Sequence, residues 1–202
     1  MRTTATREEV TEAILDAADR LLARYGYKKM TMEDLAQEVG IGKGTIYLHF
    51  RSKEELVLSH IDRLIARLKG QLLLIARGDG GPDERLKQML LTRVLFRLDG
   101  VQHYTESLSD LLAAIRPALL VRRERHFEAE AQIFAEVIKE GQREGTFAAS
   151  ASTTAAARSL LLATNALLPY SLSPVELGKR RDVERAVSQI ADLMLHGLLR
   201  RQ

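Results

Sequence analysis

The feature that most constrains the fold of this chain is a helical spacing of apolar residues that continues from one end to the other. In the first segment these residues share one helix face, with charged residues opposite. They are Val10, Ile14, Ala17, Ala18, Leu21, Leu22 and Tyr25. We find no convincing alternation of apolar and polar residues with the two-residue period of a half-buried strand. The sequence therefore predicts an all-α fold of about nine helices.

Capping signals divide the chain into segments. Thr6, Thr31 and Ser52 are each followed three residues later by an acidic residue, which is a start signal for a helix. Gly26 and Gly40 stand where the apolar spacing breaks off, and glycine often follows the end of a helix. These signals predict four N-terminal helices, over about 6–26, 32–39, 42–50 and 52–69.

The rest of the chain carries the same spacing after a glycine-rich break over 78–82. Pro82 and Pro117 suit the first turn of a helix, where the missing N–H of proline has no helical partner to lose. Gly100 and Gly145 suit helix ends. The spacing predicts five further helices, over about 82–98, 104–115, 117–144, 151–168 and 180–199.

The composition excludes several classes of protein. Because the chain has no cysteine, it has no disulfide, no thiolate nucleophile and no cysteine-ligated zinc. No apolar core of a signal peptide follows the N-terminus, and the longest apolar-rich stretch, 159–175, is too short and too polar for a membrane span. A net charge of +3 permits nucleic-acid binding without requiring it. We expect a soluble, cytoplasmic protein.

Residues 31–53 carry the pattern that points to a function. They predict a short amphipathic helix, a tight turn at Gly40 and a second short helix, which is the order of a helix-turn-helix. Gly40 suits the left-handed conformation of such a turn, and the small Ala36 lets the two helices approach closely. The residues that can form a small core against the first helix are Leu35, Ala36, Val39, Ile41 and Ile46.

Charge is segregated in the same segment, because no acidic residue lies between Glu38 and Glu54. Its basic residues are Lys43, Arg51 and Lys53, joined by His49. Carboxylates repel a duplex, so phosphate contact requires such an acid-free patch. Thr45 and Tyr47 add hydroxyl groups suited to phosphates or base edges. A charge run alone is more often a solvated face, but at this spacing after this turn it predicts DNA binding.

These residues resemble the DNA-binding signature of the tetracycline-repressor (TetR) family, whose helix-turn-helix ends in a motif like Gly-Thr-Ile-Tyr-x-His-Phe-x-Ser-Lys. The matching residues are Gly44, Thr45, Ile46, Tyr47, His49, Phe50, Ser52 and Lys53. The resemblance implies an N-terminal three-helix DNA-binding domain over residues 1–51. It also implies a larger helical domain for ligand binding and dimerisation over residues 52–202.

The resemblance further implies which residues contact DNA. They are Thr31, Lys43, Gly44, Thr45, Tyr47, His49 and Lys53. Lys53 would clamp a phosphate at the start of the fourth helix, and Thr31 would make a contact at the start of the second. Gly42 departs from the family, because many relatives carry a serine or threonine cap there. Without such a capping side chain, only the backbone amides at the start of the recognition helix are available to contact a phosphate.

The C-terminal part predicts a homodimer. Between Glu144 and Glu176 the only charged residue is Arg158, although an outer helix of a monomer needs a polar face. The last helix carries an apolar stripe, Val183, Ala186, Val187, Ile190, Leu193, Met194, Gly197 and Leu198. We expect the helices over about 151–168 and 180–199 to pack against their copies as a four-helix bundle, as the resemblance also implies. The alternative is a fully internal helix in a monomer.

The middle segment, 67–147, is expected to bind a small-molecule effector that is largely apolar. Its aromatic side chains could surround a cavity with a few polar groups, although each alone is equally compatible with a core. The candidate pocket residues are Phe96, His103, Tyr104, Arg116, Phe127 and Phe134. Arg122 and Arg123 could also serve an anionic ligand, or they could be solvated.

Two further patterns are decoys. Residues 40–45 resemble a phosphate-binding loop, but Gly44 intervenes where that motif needs a serine or threonine directly after the lysine. His126 and Glu130 share a helix face as metal ligands can, but no third ligand accompanies them, so we expect a solvated or pocket-lining role. In the absence of a catalytic pattern we expect no cofactor, no metal and no enzyme activity.

The sequence thus predicts a ligand-responsive, DNA-binding transcription regulator. In its simplest form it is a repressor that binds a palindromic operator as a dimer and is released by its effector. The alternative is a helical small-molecule-binding or scaffold protein with a non-functional DNA head.

Overall fold

A computed structural model describes residues 6–102, 108–149, 152–168 and 176–199. Over these ranges the chain forms eight helices and no strand, with one isolated bridge between Phe147 and Leu199. The helices are α1 (Arg7–Lys29), α2 (Met32–Val39), α3 (Lys43–His49), α4 (Lys53–Ala76), α5 (Pro82–Gln102), α6 (Leu108–Glu144), α7 (Thr153–Asn165) and α8 (Arg180–Leu198). The predicted all-α fold is confirmed.

The predicted start of a new helix at Pro117 is wrong, which accounts for eight helices instead of nine. Helix α6 runs continuously from Leu108 to Glu144, with Pro117 inside it. Proline removes the N–H that would bond the carbonyl of Ala113. Both residues are exposed, so water can reach the carbonyl that loses its partner. The first residues of the predicted 104–115 helix lie outside the described ranges.

The predicted capping boxes at Thr6 and Thr31 are confirmed, whereas at Ser52 only the hydroxyl accepts from Glu55 and the Glu55 carboxylate bonds the Arg51 N–H instead. The hydroxyl of Thr6 accepts a hydrogen bond from the backbone N–H of Glu9, whose carboxylate accepts one from the Thr6 N–H. Thr31 forms the same reciprocal pair with Asp34 at the start of α2. Gly26 has a φ of 74° and a ψ of 168°, so it interrupts the helical backbone of α1 before its last residues.

The chain divides into two compact units. The first contains the described residues up to Ile65 together with the part of α6 that ends at Val121, and the second contains the remainder. Helices α4 and α6 therefore supply residues to both units. The boundary between residues 51 and 52 that the sequence predicts is a functional division, and it stays a prediction.

Each unit has its own core of fully buried side chains. In the first unit the core joins five helices through Ile14, Leu35, Ile46, Leu56 and Leu111. In the second unit α5 packs against α7 and α8, and α6 contributes the large ring of Phe134. The core of the first unit supports the exposed face of α3 through Ile46, since burial of apolar area is the dominant stabilising effect in folding.

The environment of the Tyr27 hydroxyl predicts that the first unit loses stability at alkaline pH. This hydroxyl donates to a carboxylate oxygen of Glu54 at 2.9 Å, and burial raises the pKa of Tyr27 to about 12. Because the unfolded chain loses the phenolic proton first, the free energy of unfolding should fall as pH rises from about 10 to about 12. Tyr27→Phe should cost about 1 kcal/mol at neutral pH and flatten that alkaline fall.

Urea unfolding at neutral and alkaline pH, followed by circular dichroism, measures both effects. Tyr25→Phe is the matched control, because Tyr25 is exposed on the same helix. An equal alkaline loss in wild type and Tyr27→Phe would contradict the assignment.

Candidate nucleic-acid interface

One side of helix α3 is buried in the core and the other side is exposed. Ile46 is fully buried in the core of the first unit, and Phe50 is buried at the C-terminal cap of the helix. On the opposite side Tyr47 is 46% exposed and Leu48 is 76% exposed. This exposed side, on which a tyrosine stands beside a leucine, is a candidate contact surface.

The turn before α3 has the geometry that its glycines predict. Gly40 ends α2 in the left-handed region, with a φ of 77° and a ψ of 33°. An added Cβ would meet no atom within 4 Å, so glycine is needed there for its backbone conformation. Gly42 is the N-cap of α3 and supplies no side-chain hydrogen bond, as the departure from the family signature implies.

The structure gathers five of the predicted DNA contacts on α3. Lys43 and Gly44 are exposed at its start, Thr45 is half-buried, and Tyr47 is exposed. At Gly44 a Cβ would find open space, so the fold itself does not require glycine there. Their assignment as DNA contacts stays a prediction.

The fold places an acidic residue from outside the acid-free stretch next to this surface. The ammonium of Lys43 lies 3.3 Å from a carboxylate oxygen of Glu33 on α2, and both side chains are about half exposed. An exposed pair of this kind contributes only about 0–1 kcal/mol, so a phosphate can replace the carboxylate as the partner of Lys43.

Lys53 is more constrained than a free phosphate clamp. Its ammonium donates to the backbone carbonyls of Tyr27 at 2.9 Å and Met30 at 3.1 Å. It also lies 4.4 Å from the centre of the Tyr27 ring. The side chain therefore ties the start of α4 to the end of α1, and one of its three N–H donors is left for a phosphate.

Thr31 is exposed, but its donors are already used. Its hydroxyl donates to the carboxylate of Asp34 at 2.8 Å, and its backbone N–H donates to the same oxygen at 2.9 Å. A phosphate contact from Thr31 would have to displace one of these bonds. The structure thus assigns Thr31 a capping role, and the predicted DNA contact stays untested.

His49 has a partner that sequence reasoning missed. Its ring nitrogen Nδ1 lies 2.8 Å from the hydroxyl oxygen of Thr11 on α1, 38 positions earlier in the chain. The ring is half-buried and therefore still reaches solvent. No local pattern signals this contact, because it depends on how α1 packs against α3.

The predicted pocket residues fall in different places. Phe127 and Phe134 are buried in the core of the second unit, and Phe96 packs against that core half-buried. Arg116 is exposed and belongs to the first unit, so the structure does not gather it with the three phenylalanines. His103 and Tyr104 lie outside the described residues.

The expectation that Glu130 is solvated or lines a pocket is corrected by a buried ion cluster in the second unit. Glu130 is 0% exposed, and its carboxylate accepts from Arg93 at 2.6 Å and from Arg97 at 2.7 and 2.9 Å. The two arginines also bond Asn165 of α7, so the cluster joins three helices. Within the described ranges no group of three or more histidine, cysteine or acidic side chains could hold a metal.

The helices were compared with the requirements for a membrane-spanning segment. In the part of the chain that the structure describes, no helix combines the length and the apolar content needed to cross a bilayer.

The geometry defines a class of protein. Two short helices joined by a left-handed glycine turn, with the second helix anchored by a buried isoleucine and exposed along its other side, make a helix-turn-helix.

Comparison with known proteins relates the N-terminal segment to a family. The sequence profile of "Bacterial regulatory proteins, tetR family" matches residues 14–59. The chain is 37% identical over 84 residues to the uncharacterized HTH-type transcriptional regulator YerO of Bacillus subtilis, covering 41% of this chain and 29% of that protein. It is 28% identical over 166 residues, 79% of each chain, to the HTH-type transcriptional repressor BepR of Brucella suis biovar 1. Residues 14–59 therefore carry the DNA-binding part of the tetR family of bacterial regulatory proteins.

The family model matches only the N-terminal part of the chain, whereas the likeness in fold covers most of it. The first curated relatives are matched over only 29% to 42% of their own length. A transcriptional regulator of Cytophaga hutchinsonii superposes with a TM-score of 0.79 at 22% identity, covering 94% of this chain and 98% of that one. At this identity the superposition shows a shared fold.

Proposed function

We propose that this protein is a ligand-responsive transcription regulator that binds a palindromic DNA operator as a homodimer and acts in the cytoplasm as a repressor. One observation carries the proposal, namely that α3 is anchored by Ile46 and presents Lys43, Gly44 and Tyr47 to solvent. A helix presented in this way fits the major groove, where its side chains reach base edges. The name of the Brucella suis relative, a repressor, supports the same choice.

The charges around α3 support DNA as the partner. Lys43 is held only by an exposed pair with Glu33, and Lys53 keeps one free donor. When a duplex approaches, Lys43 can exchange its carboxylate partner for a phosphate, and Lys53 can bond a phosphate through its remaining donor. Tyr47 is exposed without an ion pair and would contact base edges or sugar at the centre of the surface.

The homodimer is supported by two apolar stripes that one subunit leaves uncovered. On α8 the inner side packs in the core through Val183 and Val187, while the outer side carries apolar or small residues at helical spacing. They are Ala186, Ile190, Leu193 and Gly197, and Leu193 is 76% exposed. The outer side of α7 is similar, with exposed Ala155, Ser159, Leu162 and Ala166. Such faces are typical of helices that meet their copies in a dimer.

Leu193→Glu should therefore convert the protein to monomers, because it places a charge in the centre of an isologous apolar interface, where it is buried twice. Sedimentation velocity measures the change. Leu74→Glu is the matched control, since Leu74 is 75% exposed on α4 and lies on neither stripe. Dimers that persist in Leu193→Glu at micromolar concentration would contradict the interface.

The effector would bind among the helices of the second unit and release the DNA. We propose a largely apolar ligand, because the aromatic side chains of Phe96, Phe127 and Phe134 lie in one core there. A ligand shifts the equilibrium only by its preference for one state over the other. Helix α4 supplies residues to both units, so it can change the spacing of the two α3 helices, which a palindrome requires at about 34–36 Å.

A salt titration tests the DNA-binding proposal. The probe is the duplex immediately upstream of the protein's own gene, with a scrambled duplex of the same composition as control. We expect affinity to fall steeply and linearly on a log–log plot with salt, and to be higher for the native sequence at every salt concentration. Equal, salt-insensitive affinities for both duplexes would overturn the proposal in favour of a scaffold with a non-functional DNA head.

A further inference from the structure

The contact between His49 and Thr11 determines more than the position of a ring. His49 is the last residue of α3, and its Nδ1 lies 2.8 Å from the hydroxyl oxygen of Thr11. The same hydroxyl oxygen lies 2.8 Å from the backbone carbonyl of Arg7, one turn earlier in α1. The arrangement is thus a chain of three polar atoms, from carbonyl to hydroxyl to imidazole.

Only one assignment of hydrogens satisfies this chain. The carbonyl of Arg7 can only accept, so the single proton of the Thr11 hydroxyl must point at it. The hydroxyl then faces Nδ1 of His49 with a lone pair, and Nδ1 must carry a hydrogen to donate. In the neutral ring the other nitrogen, Nε2, is consequently an unprotonated acceptor. Within the described residues Nε2 makes no hydrogen bond.

An acceptor on α3 can pair with only a few groups of a DNA duplex. Phosphate oxygens, and the O6 and N7 atoms of guanine, are themselves acceptors. The donors in the major groove are the exocyclic amino groups of adenine, N6, and of cytosine, N4. A neutral His49 with a free Nε2 can therefore bond a base and cannot bond the backbone.

We propose that Thr11 is a positioning residue that holds His49 in the Nδ1–H form, so that Nε2 accepts a hydrogen bond from the amino group of an adenine or cytosine in the operator. The base contact rests on the proposed DNA-binding function. The tautomer does not, because the Thr11 hydroxyl and the Arg7 carbonyl set it in the free protein.

The tautomer is tested first, without DNA. The probe is the protein with ¹⁵N-labelled histidine at about pH 8.5, where histidines are ordinarily neutral. The chain has five histidines, so His49→Gln identifies the resonances of His49. Wild type and Thr11→Ser should show Nε2 at the shift of an unprotonated nitrogen. Thr11→Val should move the proton to Nε2, because a histidine with no acceptor beside Nδ1 ordinarily carries it there. An Nε2–H form in the wild type would overturn the inference.

The base contact is tested on the upstream duplex by replacing each base pair in turn. Replacing one particular adenine or cytosine should lower the affinity of the wild type about tenfold. His49→Gln and Thr11→Val should bind the native and the replaced duplex with equal affinity. Thr11→Ser should keep the discrimination. A structural role for Thr11 would instead lower affinity for every duplex equally, which contradicts the proposal.

Two outcomes separate this inference from the proposed function. If no duplex binds specifically while the tautomer is as expected, the proposed function fails and the assignment for Thr11 stands. Suppose instead that the duplex binds specifically, and that the affinity of the wild type for DNA rises as pH falls while that of His49→Gln does not. A protonated His49 ring is then contacting phosphate. The acceptor role is then wrong although the protein binds DNA.

Discussion

Tyr47→Ala is expected to weaken operator binding about a hundredfold while leaving the fold and the dimer unchanged. Each lost contact to a base edge is worth about 1–3 kcal/mol. A dimer presents the side chain twice, so even about 1.4 kcal/mol for each copy gives this factor. Tyr47 is 46% exposed, and the core contact of α3 comes from its neighbour Ile46. Removing the Tyr47 ring therefore creates no cavity.

The matched control for this variant is Tyr25→Ala. Tyr25 is 43% exposed in the same unit, but it lies on α1, where it stacks with the guanidinium of Arg24 at 5.0 Å. Fluorescence anisotropy with the labelled upstream duplex compares the two variants at one salt concentration, since affinity depends on salt. Equal losses in both variants, or no loss in Tyr47→Ala, would exclude the exposed side of α3 as the DNA contact.

Glu130→Gln is expected to lower the free energy of unfolding by about 3–5 kcal/mol. The substitution keeps the shape of the side chain, but it removes the carboxylate charge that Arg93 and Arg97 share. Arg93 is 1% exposed, so water cannot replace the lost carboxylate. An uncompensated charge in the interior costs far more than the net value of the intact pair.

Glu128→Gln on the same helix provides the control. Glu128 pairs with Arg158, and both side chains are about 40% exposed, so we expect a loss of about 0–1 kcal/mol. Because the chain has no tryptophan, unfolding in urea is followed by circular dichroism of the helices. A Glu130→Gln variant that is no less stable than Glu128→Gln would show that the cluster is hydrated.

A triple replacement keeps the prediction testable if Glu130→Gln does not fold. Exchanging Glu130, Arg93 and Arg97 together for apolar residues of similar volume removes the charges as well as the pair. Such replacements are often neutral or stabilising. We therefore expect the triple variant to regain most of the lost stability, and a variant as unstable as the single one would point to packing as the cause.

Local signals in the sequence predicted the elements of this fold well. The reciprocal caps at Thr6 and Thr31 involve residues three positions apart, so their geometry depends on little beyond the helix itself. The left-handed turn at Gly40 is equally local, because it depends on the missing Cβ of one residue. The break expected at Pro117 failed for the opposite reason, since exposure of the freed carbonyl is a property of the packed molecule.

The candidate interface could be predicted as a surface but not as a network. Its spacing placed Lys43, Tyr47 and His49 on one short helix, and the structure confirms that placement. It did not reveal that Glu33 lies beside Lys43, or that the ammonium of Lys53 bonds two carbonyls of the first helix. These contacts join different helices, and no spacing rule within one helix contains them.

By itself, then, the sequence determined most of the helical segments, the caps at Thr6 and Thr31, the turn at Gly40 and the absence of acids from α3, because those properties arise between residues a few positions apart. Tertiary structure alone decided the partners of the polar atoms. Thr11 meets His49 across 38 positions, and Arg93 meets Glu130 across 37. A buried or half-buried polar group must find a partner, and which partner it finds depends on how whole helices pack.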